Sequence, residues 1–95
     1  MTQTLKQTSH CYKSHARKRL RERYGVSFDN GFWNELKGRA SEAIFISRCA
    51  DNPNRVIRFI TFKGHQLLFV WDKISNEIVT FLPLDMLNRL RGLHA

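Results

Sequence analysis

Arg55-Val56-Ile57-Arg58-Phe59-Ile60-Thr61-Phe62-Lys63-Gly64-His65-Gln66-Leu67-Leu68-Phe69-Val70-Trp71-Asp72 is the stretch that decides the fold. β-Branched and aromatic residues fill both halves, and Lys63-Gly64-His65 supplies a tight turn between them. The stretch therefore predicts two antiparallel strands, Arg55 to Phe62 and Gln66 to Asp72. On its N-terminal side, Asp51-Asn52-Pro53-Asn54 is a turn cluster that joins a further strand, Ile44-Phe45-Ile46-Ser47-Arg48-Cys49. On its C-terminal side, Ser75-Asn76 turns the chain into Glu77-Ile78-Val79-Thr80-Phe81-Leu82. Pro83 closes that strand because it has no N–H to donate to the ladder.

The flanking segments carry a helical period. Tyr12, Ala16, Leu20 and Tyr24 recur every four residues, which predicts a helix from about Ser9 to Gly25, whose missing Cβ suits a left-handed C-terminal position. Asp29 is a candidate N-cap for a second helix through Phe32, Trp33, Leu36, Ala40 and Ala43. Leu84, Leu87, Leu90 and Leu93 predict a short amphipathic C-terminal helix. Residues 1–8 show neither period and read as a flexible polar lead-in to a single domain over 9–95. The expected class is α+β, with N-terminal helices packed on one face of a four-stranded antiparallel meander and a short helix closing the chain.

Composition sets bounds on function. In 95 residues, 16 Lys+Arg oppose 8 Asp+Glu, giving a net charge of +8, so a polyanion such as nucleic acid is the natural partner. Because 42% of residues are hydrophobic and 12% aromatic, the chain reads as a folding domain and not as a disordered basic arm. Apolar runs such as Leu67-Leu68-Phe69-Val70-Trp71 are too short to span a bilayer, and the polar N-terminus lacks the apolar core of a secretory signal, so no membrane association and a cytoplasmic location are expected. Cys11 and Cys49 then read as reduced thiols. No zinc-ligand spacing links His10, Cys11 and His15, and no glycine-rich phosphate loop occurs, so neither metal nor other cofactor is expected.

Candidate site residues cluster on the first helix. His15, Arg19 and Arg23 form one row beside the apolar row, placing a proton-transfer group among anion binders. Lys18, Arg17 and Arg21 fall on other faces and read as solvated charges, with Glu22 pairing to Lys18. In the strands, Arg58 either faces solvent or emerges on a ligand-binding face. Lys63 and His65 stand at a hairpin tip, open to a substrate phosphate or simply solvated. Thr80 is expected on the same side as Ile78 and Leu82, either as a hydrogen-bond donor or as a plain strand former. Most aromatic residues belong in the core, with Trp71 expected to be partly exposed at a strand end.

The His15-Ala16-x-x-Arg19-x-x-x-Arg23-Tyr24-Gly25 helix, together with Ile78-Val79-Thr80-Phe81-Leu82-Pro83, resembles the small RelE-like and contact-dependent-toxin nucleases of the barnase/EndoU/colicin/RelE superfamily. It looks especially like their short phage-encoded relatives. The resemblance implies a metal-independent endoribonuclease with His15, Arg19 and Thr80 as its catalytic residues. In that scheme His15 moves the proton, Arg19 and Arg23 hold the phosphate, and Thr80 donates to a non-bridging oxygen. Arg58, Lys63 and His65 would extend the RNA-binding surface. The implied partners are mRNA, tRNA or ribosome-associated RNA, with an antitoxin or host protein, in the cytoplasm of a bacterial or phage-infected cell. The alternative is a non-catalytic phage regulatory protein that binds RNA or a host protein through the same basic face.

Overall fold

The computed structural model describes the backbone of residues 2–92 and the side chains of residues 12–90. Its elements are α1 (Thr2–Tyr24), α2 (Asn30–Ala40), β1 (Ile44–Cys49), β2 (Asn52–Phe62), β3 (His65–Asp72), β4 (Glu77–Leu82) and α3 (Met86–Gly92). The strands form one antiparallel sheet in the order β1-β2-β3-β4, the α+β meander that the hairpin pattern predicts.

Local chemistry sets most boundaries. α1 starts at Thr2 and not at Ser9, so the stretch expected as a lead-in is helical. It contains neither proline nor glycine, and nothing in it breaks the backbone ladder. Gly25 then takes φ 66° and donates its N–H to the Arg21 carbonyl at 3.0 Å, ending the helix in the left-handed region. The Asp29 carboxylate accepts from the Phe32 N–H at 2.8 Å and caps α2. Lys63 at φ 51° and Gly64 at φ 80° form the two-residue turn whose twist suits the β2–β3 hairpin. β2 begins at Asn52, earlier than Arg55, because the Asp51–Asn54 cluster starts pairing as soon as it has turned: Cys49 faces Asn52.

Alternation divides the strands between two apolar clusters. On one face Val56, Phe62, Leu67, Phe69, Trp71, Ile78 and Phe81 pack with Trp33, Leu36 and Ala40 of α2 and with Ala16 and Leu20 of α1. On the other, Ile57, Leu68, Val70 and Val79 pack with Ile46, Phe59 and Leu82 and with Met86, Leu87 and Leu90 of α3. The sheet is thus covered on both faces, not on one, since its strands carry large apolar residues at odd and even positions alike. Leu93 lies outside the described residues.

α1 lies alongside β4. Arg23 Nη1 donates to the Phe81 carbonyl at 3.1 Å. The Tyr24 hydroxyl donates to the Leu82 carbonyl at 2.6 Å and accepts from the Leu68 N–H at 3.0 Å, inserting a rung between two residues that are paired across the strands. Burial pushes this hydroxyl above its ordinary pKa, so it stays the neutral donor that the Leu82 carbonyl requires.

Candidate nucleic-acid interface

Because Ala16 and Leu20 are buried in the seam, the helical period turns Arg17 to one side of it and His15 and Arg19 to the other. Arg17 occupies the flank facing α2. Its guanidinium donates to the Phe28 carbonyl and, at 3.0 Å, to Asn30 Oδ1, and it stands 5.7 Å from the Trp33 ring centroid. It is therefore a tie between helices, not the solvated charge that its position in a basic run suggested.

The opposite flank carries the expected row. His15 is exposed, Arg19 Nη1 meets Glu22 Oε1 at 2.6 Å, and Arg23 reaches the β4 carbonyl. Glu22 thus pairs with Arg19 rather than Lys18. Its carboxyl is held below the ordinary range first by that hydrogen bond, against slight desolvation and with help from the Arg19, Lys18 and Arg23 charges. Lys18 and Arg21 are exposed and have no acidic partner among the described residues. Among its described residues, the surface of α1 is consequently a strip of cations with one internal anion.

Thr80 does not share a face with Ile78. A bulge between Ile78 and Thr80 pairs Ile78 with Trp71 but Thr80 with Val70, so Thr80 joins the α3 side of the sheet while Ile78 joins the α2 side. Tyr12, on the His15–Arg19 flank, packs with the α3-side cluster, so that flank and Thr80 look toward the same side of the molecule. No hydrogen bond joins His15, Arg19 or Arg23 to Thr80 among the described residues.

The remaining candidates stand elsewhere. Arg58 points to the α2 side, where Nη1 donates to the Ser41 and Ala43 carbonyls, each at 3.0 Å. This places a cation at the C-terminal end of α2, where the helix dipole favours one, and leaves Nε buried without a partner. At the hairpin tip, Lys63 Nζ lies 3.4 Å from Glu35 and 4.8 Å from the Phe32 ring centroid, and His65 packs edge-on against Phe28 at 6.1 Å. The structure therefore brings His15, Arg19 and Arg23 together on one flank and leaves Lys63 and His65 beside α2. Trp71 is buried, at 3% exposure, because its strand position faces the α2 core.

A network missed in the sequence sits at the other end of the sheet. Arg55 Nη2 donates to the Tyr12 hydroxyl at 2.7 Å, and its Nε donates to Asp72 Oδ2 at 3.3 Å. Asp72 Oδ1 accepts from the Ile74 and Ser75 N–H groups at 2.9 and 3.0 Å. Burial raises the Asp72 pKa, but these two amides and Arg55 outweigh it and hold the carboxyl below its usual value. The legible signal was Asp72-Lys73-Ile74-Ser75, an aspartate placed to cap its own turn. Cys49 is a free thiol, raised by burial and to a lesser extent by Asp51; the Cys11 side chain is outside those described.

The fold and the strip define a small α+β domain with a cation-lined helix running alongside β4. No family model, curated protein or solved structure matches this chain, so the likeness to RelE-like nucleases rests on its two short motifs alone.

Proposed function

We propose that the protein binds RNA, with the outward flank of α1 tracking the phosphate backbone. The observation that supports this most is the disposition of charge. Glu22, Glu35, Asp72 and Glu77 each stand in an ion pair with another cation, whereas Lys18 and Arg21 project from α1 without an ion pair among the described residues. A rigid helix that presents unpaired cations to solvent suits a polyanion, whose bound counterions are released on contact. The test is fluorescence anisotropy with a single-stranded RNA across a salt series. Affinity is expected to fall steeply as salt rises, and Lys18→Ala with Arg21→Ala is expected to reduce the slope of log affinity against log salt by roughly one to two. Affinity that ignores salt overturns the reading.

A second reading, RNA cleavage of the RelE-like kind, is favoured by one feature: Thr80 looks to the same side as the flank bearing His15 and Arg19. In it, His15 exchanges a proton with the 2′-OH or the leaving oxygen while Arg19 steadies the phosphorane. Incubation with total RNA in EDTA separates the two readings. Cleavage to 2′,3′-cyclic phosphate ends that His15→Ala slows by about 10²-fold establishes the enzyme, and retention without cleavage leaves the binder.

A further inference from the structure

We propose that the open β1 edge, with the pocket beside it, docks a short extended segment of an acidic protein partner. β1 is an edge strand paired with β2, and although α3 packs against it, Ile44 and Phe45 are 58% and 53% exposed there. Adjacent strand residues point to opposite faces, so this pair presents apolar surface on both sides of the same edge. Next to it lies a pocket of about 390 Å³, formed by Arg39, Glu42, Ala43, Ile44, Phe59, Ile60 and Thr61, with room for a large side chain.

The edge itself limits the occupant. Register breaks between Phe45 and Ser47 and between Arg48 and Cys49 interrupt regular pairing, as bulges do at guarded edges. The Ile44–Phe45 end lies before these breaks, in regular register with Phe59 and Arg58, which suits a short segment. Charge selects the sign. Arg39 at the pocket and Arg48 on the edge are exposed and neither has an acidic partner among the described residues. Glu42 is the only acid in the lining and leaves Arg39 to meet an incoming carboxylate. A second copy would bring another +8 against these arginines, so self-pairing is disfavoured. The occupant that fits is an extended strand addition with one large apolar side chain in the pocket and acidic neighbours over Arg39 and Arg48. This surface is separate from the outward flank of α1 and stands whether or not that flank binds RNA.

The test is an amide-resolved NMR titration of the whole chain with a synthetic peptide alternating glutamate with isoleucine and phenylalanine. Expected shifts fall on Ile44, Phe45 and Phe59–Thr61, with Phe45→Ser and Arg39→Glu each weakening binding by about tenfold or more. Both positions are exposed, so the variants keep the fold. A peptide with lysine in place of glutamate is expected to leave the spectrum unchanged. The proposal is overturned if the acidic peptide moves none of these amides up to about 1 mM, or if the lysine peptide moves them equally. It is equally overturned if they respond to protein concentration, which assigns the edge to a second copy, or to single-stranded RNA alone.

Discussion

The two edges of the sheet meet opposite fates. At β4, Arg23 of α1 satisfies the Phe81 carbonyl, Tyr24 bridges Leu82 to Leu68 of β3, and Ala16 and Leu20 bury the seam. At β1, α3 packs with Ile46 and Cys49 but leaves Ile44 and Phe45 in water. An edge strand is a row of unpaired backbone groups, so the strand that a long helix lies against is the better protected of the two. The same helix that packs along β4 carries exposed cations, Lys18 and Arg21, on its outer side. The other edge keeps its capacity to pair.

The comparison breaks most readily at the seam. Leu20→Ala removes a fully buried side chain between α1 and the sheet and is expected to cost about 2–5 kcal/mol. Phe45→Ala at the open edge should stay within about 0.5 kcal/mol. Urea denaturation of the two variants measures both, and an equal loss would show that α1 does not differentiate the edges.

Tyr24→Phe acts on a narrower point. Removing the hydroxyl leaves the Leu68 N–H and the Leu82 carbonyl without their shared partner, at a cost of about 1–3 kcal/mol. Hydrogen exchange at the Leu68 amide should accelerate more than exchange elsewhere in β3. Unchanged protection there would mean that the ladder closes without the tyrosine.

The smallest effect is expected where Tyr12 of α1 meets the Arg55–Asp72 network. Asp72 has a folded-state pKa below its unfolded value, so its stabilisation is complete above the ordinary carboxylate range and is lost as pH falls through the depressed folded value. Melting temperature should therefore decline below about pH 4. Asp72→Asn, which keeps an acceptor for the Ile74 and Ser75 amides, should cost on the order of 1 kcal/mol at neutral pH and flatten that decline. If the variant and the parent lose stability in parallel on acidification, Asp72 is not the responsible group.

The strands were legible because their signals are local. Lys63-Gly64, Asp51-Asn52-Pro53-Asn54 and Ser75-Asn76 impose turns wherever the chain goes, and Asp29 caps a helix through its own neighbours. The candidate site was legible only as a row. His15, Arg19 and Arg23 share a flank by helical arithmetic, but the face of Thr80 depended on a bulge that alternation alone does not reveal.

By itself the sequence determined the α+β order, the meander, the seam of Ala16 and Leu20 and the excess of positive charge, since each follows from residue period or composition. Only the tertiary structure decided that Arg17 and Arg58 tie backbone carbonyls instead of meeting solvent. It alone placed Trp71 in the core, set Tyr24 between β3 and β4 and left Ile44 and Phe45 of β1 exposed. These outcomes depend on which elements meet across tens of residues, where a side chain takes whatever hydrogen-bond partner or apolar neighbour the packing brings within reach.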